Sequence, residues 1–382
     1  MKKKTFVSCI LALALCVFLL AGCSSRSTIS ITDSWESSSS YSYNANFSET
    51  LEYSLSYESS YDEGEAGWHI YLDEENCSYT VSVETVPYYS APDGMLHYDV
   101  YYMHIETYLS AAYAYLEEDD GEEVTIVSFG GDTGTEADYT ITDLWFHSLN
   151  TNNNLEDLTS MEPIYSTKTT LSHSPSGYSS DIVYYYYYTT ETVYDETCEN
   201  AVITYTDNWG DLSDDDRLVN DYVYKYSYSA ETEAEDIADS YSVFDENELV
   251  FAGRGFTYEE DDSDYVSVVS TAGALQTMYI YCDELADVIV GESSSNSLNY
   301  FYMYETDSSS GTETVSYISN KSIYSAEVSF SVSGAGYASG SSTTVTYAQE
   351  DGYYRVPLII DMPFSYLLGT LSCSLTSLSH TE

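Results

Sequence analysis

Apolar and polar residues alternate with a period of two along much of this chain. Leu51, Tyr53, Leu55 and Tyr57 interleave with Glu52, Ser54, Ser56 and Glu58, which gives an extended segment one apolar and one polar face. The pattern returns at Cys77, Tyr79, Val81 and Val83, and at Tyr222, Tyr224, Tyr226 and Tyr228. It returns again at Val328, Phe330 and Val332, and at Leu371, Cys373 and Leu375. Tyr and Thr fill many of these positions, and both suit a pleated, half-buried surface. Turn chemistry separates the runs, as in Gly130-Gly131-Asp132-Thr133-Gly134 and Asp307-Ser308-Ser309-Ser310-Gly311. Such turns join antiparallel neighbours. Helical character is confined to residues 231–241, enough for one or two turns. The pattern predicts an all-β fold of antiparallel β-sandwich modules, immunoglobulin-like or similar, with very little helix. No short fixed repeat is present, which disfavours propellers and solenoids.

The stretch of strands is longer than one common sandwich, so two modules are expected. The best boundary is the acidic region 207–246, poor in large aliphatics, between a first module at 49–206 and a second at 247–382.

Composition changes the picture in two ways. The chain has 64 acids against 10 Lys and Arg, a formal charge of −54. Such a surface repels phosphate, so nucleic-acid partners are excluded, and cationic proteins or peptides are the partners it would attract. The chain is also 15% aromatic, with 44 Tyr, which sets it apart from disordered acidic tails. Stripes such as 184–188 and 222–228 either pave a core with hydroxyls at its edge or offer flat faces to a glycan. The burial of Trp68, Trp145 and Trp209 discriminates between these readings.

The N-terminus reads as an address. Lys2, Lys3 and Lys4 precede an apolar run from Phe6 to Ala21 broken only by Ser8, a signal-peptide pattern too short for a permanent span. It ends in Leu20-Ala21-Gly22-Cys23, which resembles the lipobox of bacterial lipoproteins. That resemblance implies cleavage before Cys23, a lipidated Cys23 sulfur and a palmitate-type anchor on the extracytoplasmic face of the cell membrane, or of an outer membrane where the host has one. On this reading 1–23 is the signal peptide ending at the lipidated Cys, and 24–48 is a Ser-rich flexible tether. The residues 244–256, Pro163-Ile164-Tyr165-Ser166-Thr167-Lys168 and Tyr354-Arg355-Val356-Pro357 resemble segments of all-β lipoproteins of gut-type Gram-positive bacteria. The resemblance implies location and architecture, and no particular chemistry.

Catalytic signatures are missing: there is no G-x-S-x-G, P-loop or H-E-x-x-H. Of the six His, His97 and His104 are nearest together, but a separation of seven sends them to opposite faces of an unbroken strand. With 64 acids, no carboxylate pair can be singled out for glycoside hydrolysis. Asp211, Asp214, Asp215 and Asp216 are the densest oxygen source and the candidate calcium ligands, the alternative being a solvated loop. Cys77, Cys198, Cys282 and Cys373 allow three complete pairings; two per module makes Cys77–Cys198 and Cys282–Cys373 the pairing expected of an exported chain. Free buried thiols are the alternative. Arg254 and Arg355 lie beside apolar segments, where a guanidinium takes a carboxylate of the fold in a fork. These features converge on a lipid-anchored, acidic, non-enzymatic surface protein that binds or scaffolds. Its rivals are a glycan-binding lipoprotein and a cell-wall or glycan hydrolase.

Overall fold

The computed structural model describes residues 45–60, 65–117, 123–147, 161–195, 198, 200–234, 243–256, 258–261, 263–270, 274–290, 301–307, 310–318, 321–332, 342–350, 353–364 and 369–381. Cys23, the signal segment and most of the tether fall outside these residues. In chain order the first strands are β1 (Ser48–Ser59), β2 (Gly67–Leu72), β3 (Ser78–Ser90), β4 (Leu96–Leu109), β5 (Ala111–Leu116), β6 (Glu123–Phe129) and β7 (Asp138–His147). Next come β8 (Pro163–Pro175), β9 (Val183–Tyr194), β10 (Ala201–Asp207), β11 (Val223–Tyr226), β12 (Ala230–Ala234), β13 (Val243–Asp245) and β14 (Ser263–Ser270). The last are β15 (Ala274–Val290), β16 (Phe301–Asp307), β17 (Thr312–Ile318), β18 (Lys321–Val332), β19 (Thr343–Ala348), β20 (Pro357–Phe364) and β21 (Gly369–Thr381).

The all-β, mostly antiparallel fold is what the alternation predicts. Leu51, Tyr53 and Leu55 are buried while Glu52 and Ser56 between them are exposed. Eighteen strands form one sheet; β2, β5 and β6 form a second. The main sheet rolls up. Its walls enclose a core that unites Leu51, Met103 and Phe146 with Val266, Val328 and Ile360. Residues 244–256 run between the walls, where Phe146 meets Phe251 at 6.0 Å and the Tyr347 hydroxyl donates to the Val250 carbonyl at 2.7 Å. A Cβ on Gly253 would sit 2.2 Å from that hydroxyl, so this close approach requires glycine. The roll closes through side chains: Ser166 and Tyr194 both donate to the Asp245 carboxylate, at 2.5 and 2.9 Å.

The 207–246 window does not divide the sheet. β1 pairs with β3 on one edge and with β21, the last strand, on the other, and the main core draws on residues from both sides of the window. A buried strand has two hydrogen-bonding edges, and β1 satisfies the second from the far end of the chain. Sandwich packing is local: the three-stranded sheet lays Trp68, Tyr113 and Phe129 on Leu171, Tyr185 and Val223 of the main sheet.

The helical expectation is also displaced. Residues 230–234 are strand β12, because β10 offers them an open edge, and 235–242 lie outside the described residues. Helical turns occur at Glu74–Asn76, Gly131–Thr133, Asp214–Arg217, Leu249–Ala252 and Gly253–Gly255. The buried segment at 249–252 has no ladder partner, so its backbone is satisfied locally, with the Ala252 N–H donating to the Glu248 carbonyl at 2.8 Å.

Candidate functional site

The candidate site forms where β7 begins and β8 ends, beneath the three-stranded sheet. The turn at Gly130, Gly131 and Gly134, with φ of +77°, +52° and +77°, brings β6 round to β7. A Cβ on Gly130 would sit 2.8 Å from the Ser110 side chain, so the turn packs tightly only with glycine. It delivers Asp138 to the start of β7. One Asp138 oxygen lies 2.6 Å from His173 Nδ1, and the other accepts the His173 backbone N–H at 2.8 Å. The imidazole is clamped between Phe129, at 4.6 Å, and Tyr185, at 4.1 Å, each ring within 13° of parallel. The Tyr113 hydroxyl donates to the His173 carbonyl at 3.2 Å.

Beside this pair is a cavity of about 220 Å³. Leu109, Tyr113, Leu171 and Phe364 supply apolar and aromatic walls, and Tyr139 and Thr140 supply hydroxyls. Burial raises the Asp138 carboxyl above its ordinary range, and the hydrogen bonds from His173 pull it partly back. A carboxylate on one ring nitrogen fixes the imidazole's orientation and directs its hydrogen-bonding role to the other nitrogen. The pair can therefore hold a polar ligand or relay a proton. Among the described residues no hydroxyl or thiol hydrogen-bonds the His173 ring.

Two further buried clusters are structural. Arg254, fully buried, donates to both oxygens of Glu49, one at 3.0 Å, and to the Tyr354 carbonyl at 2.7 Å. His380 Nδ1 lies 3.0 Å from Glu49, and its ring stacks on Tyr354 at 3.6 Å. Burial alone would raise the Glu49 carboxyl, but Arg254 and His380 together hold it below the usual range. The second cluster is Asp245 with Glu248. Glu248 is fully buried, accepts the Asp245 N–H at 3.4 Å through Oε2, and leaves Oε1 without a partner.

The candidates from the sequence fare unevenly. His97 and His104 stay apart: His97 Nδ1 lies 3.2 Å from His147 Nε2, while His104 lies between Asp143 and Glu106. Of the calcium candidates, Asp216 joins a capping box with Ser213, and Asp214 and Asp215 are exposed on the first turn of Asp214–Arg217. Among the described residues no group of three or more His, Cys, Asp or Glu is placed to hold a metal.

The disulfide pairing is corrected, since Cys77, Cys198, Cys282 and Cys373 are free thiols. Cys282 on β15 and Cys373 on β21 are separated along the sheet by β18, β19 and β20. Non-reduced protein unfolded in alkylating reagent is expected to gain four adducts at these positions. Native protein is expected to react slowly even at Cys77, whose thiol burial pushes up to about 11. A native mass two protons short per pair would contradict this.

Trp68 is buried, with its Nε1–H donating to the Ser176 carbonyl at 3.1 Å. Trp145 lies against Tyr89 and Trp209 against Lys225. Trp68 alone is buried and the other two rings are half-buried, so burial of the three does not decide between the two readings. Neither Asp138 nor His173 stood out in the sequence. The available signal was His173 two residues after Leu171, an ionisable residue on an apolar face.

No family model matches the chain, and no curated protein matches it. Among solved structures it is similar to a β-barrel-like protein of domain of unknown function DUF1849 from Brucella abortus, at 5% identity and a TM-score of 0.37, over 88% of this chain and 99% of that one.

Proposed function

We propose that this chain is an extracytoplasmic ligand-binding protein, anchored to the membrane through Cys23, whose binding site is the Asp138–His173 cavity. The observation that carries the reading is a partly apolar cavity of about 220 Å³ with one buried, oriented ionisable pair at its side. Binding sites have this character: apolar walls supply affinity and a few fixed polar groups select orientation. The overall charge of −54 disfavours anions, so the ligand is a small neutral or cationic molecule with one apolar face. Among the described residues Asp138 is the one carboxylate lining the cavity, which gives no support to hydrolysis by paired carboxylates.

Two measurements test the reading. Thermal melts of residues 24–382 against a panel of sugars, amino acids, amines and nucleosides should find a neutral or cationic compound that stabilises saturably, by about 2.7 kcal/mol at a hundredfold excess over Kd. Asp138→Asn and His173→Gln should abolish that shift. Equal shifts in wild type and both variants would place binding elsewhere. Cys23→Ala should move the protein from the membrane fraction to the soluble fraction or block its processing; unchanged fractionation would remove the anchor.

A further inference from the structure

The hairpin joining β3 to β4 turns through Ala91, Pro92, Asp93 and Gly94, with Gly94 at φ +88° and its N–H donated to the Ala91 carbonyl at 2.9 Å. Among the described residues its outer part has no neighbour in the ladder, since pairing with β1 ends at Glu84 and pairing with β7 ends at Val100. One face of this finger folds back on the body: Tyr89 stacks on Trp145 at 4.4 Å, and Ala91 packs with Ile164 and Tyr165. Among the described residues nothing packs on the other face. It carries Tyr88 and Tyr98, cross-strand partners each 61% exposed, with Leu96, 49% exposed.

Register fixes which end of the molecule this is. Ser48, the first residue of β1, pairs with Glu84, and Glu84 pairs with Tyr102, at the foot of the finger. A chain arriving from Cys23 therefore enters the fold beside it. The Asp138 cavity lies towards the opposite end, seven residues along β7 from Trp145, or about 23 Å at strand rise.

We propose that the open face of this finger rests on the headgroup interface of the bilayer that holds the Cys23 anchor, so that the cavity faces away from the membrane. This rests on the anchoring reading above. Tyr places an apolar ring and a polar hydroxyl across such an interface, and Leu adds apolar contact. Residues 84–100 contain no Lys or Arg, so the contact is with uncharged or zwitterionic headgroups and not with anionic ones. A second copy is disfavoured because it would bring a body of the same large negative charge to the surface. Three side chains alone bind weakly, but the anchor raises their effective concentration.

The test uses the lipidated protein reconstituted in phosphatidylcholine vesicles, with photoreactive benzoylphenylalanine in place of Leu96 or of Tyr178. Tyr178 is fully exposed in the β8–β9 turn, at the far end. Lipid adducts are expected from position 96 and not from 178. Tyr88→Ser with Tyr98→Ser should lower the adduct yield at 96 severalfold while the far-ultraviolet circular dichroism stays unchanged. Protein that floats with vesicles but gives no lipid adduct at 96 overturns the finger contact and leaves the anchor standing. Adducts at both positions indicate unoriented adsorption, and protein–protein adducts at 96 indicate a second copy; either overturns the proposal. Protein that does not float with vesicles removes the anchor and the finger contact together.

Discussion

Arg254→Ala is expected to cost about 3–5 kcal/mol, the scale for removing one partner of a buried ion pair. That is a large part of the roughly 5–15 kcal/mol that holds a domain together. The guanidinium is fully buried between Glu49 of β1 and the Tyr354 carbonyl, so its loss strands the Glu49 carboxylate away from water. It also loosens residues 244–256 from both walls of the roll. Arg254→Lys should rescue little, because an ammonium cannot serve both carboxylate oxygens and the carbonyl in one plane. Arg254→Met combined with Glu49→Leu should recover only part of the loss, since it removes the stranded carboxylate but takes the partner of the buried His380 Nδ1 away. Urea unfolding of the three variants decides it; a loss below about 1 kcal/mol in Arg254→Ala would sink the argument. The pH dependence carries the same signature. Glu49 is held below 4.5 when folded, so its stabilisation is full above that value and is lost as pH falls through the folded value. Arg254→Ala should flatten that acid limb.

The opposite sign is expected at Glu248. Burial first, and the Asp245 charge second, raise its carboxyl well above 4.5, so the folded state keeps a proton that the unfolded state releases. Stability attributable to this group therefore falls as pH rises from 4.5 towards the folded value. Glu248→Gln removes the titration. It also keeps an oxygen for the Asp245 N–H and removes the charge that burial and Asp245 oppose. The variant should be more stable than wild type at pH 8 by about 0.5–3 kcal/mol, the usual range of a single substitution. At pH 5 the gain should shrink. A gain equal at both pH values, or a loss at pH 8, would show that Glu248 is not the strained group it looks to be.

These two sites also divide what was legible in the chain from what was not. The faces of single strands were legible. Glu49 shares the parity of Leu51, Tyr53 and Leu55, and the alternation alone marks it as a carboxylate on an apolar face. His380 was not legible, because its parity follows from a bulge. The β1–β21 register shifts at Glu52 and Tyr53, and strand positions that alternate through Leu371 and Cys373 then turn Leu378 and His380 inward. Residues 249–252 are apolar and read equally well as strand. They form a helical turn because no free sheet edge meets them inside the roll. Local alternation thus determined that the chain is built of strands and which side chains each strand buries, since a period of two depends only on backbone geometry. Partner choice was decided by the tertiary structure alone. Glu49 meets Arg254 and His380 across 205 and 331 residues, and Asp138 meets His173 across 35. Closing such distances depends on the packing of the whole core, and no local pattern records it.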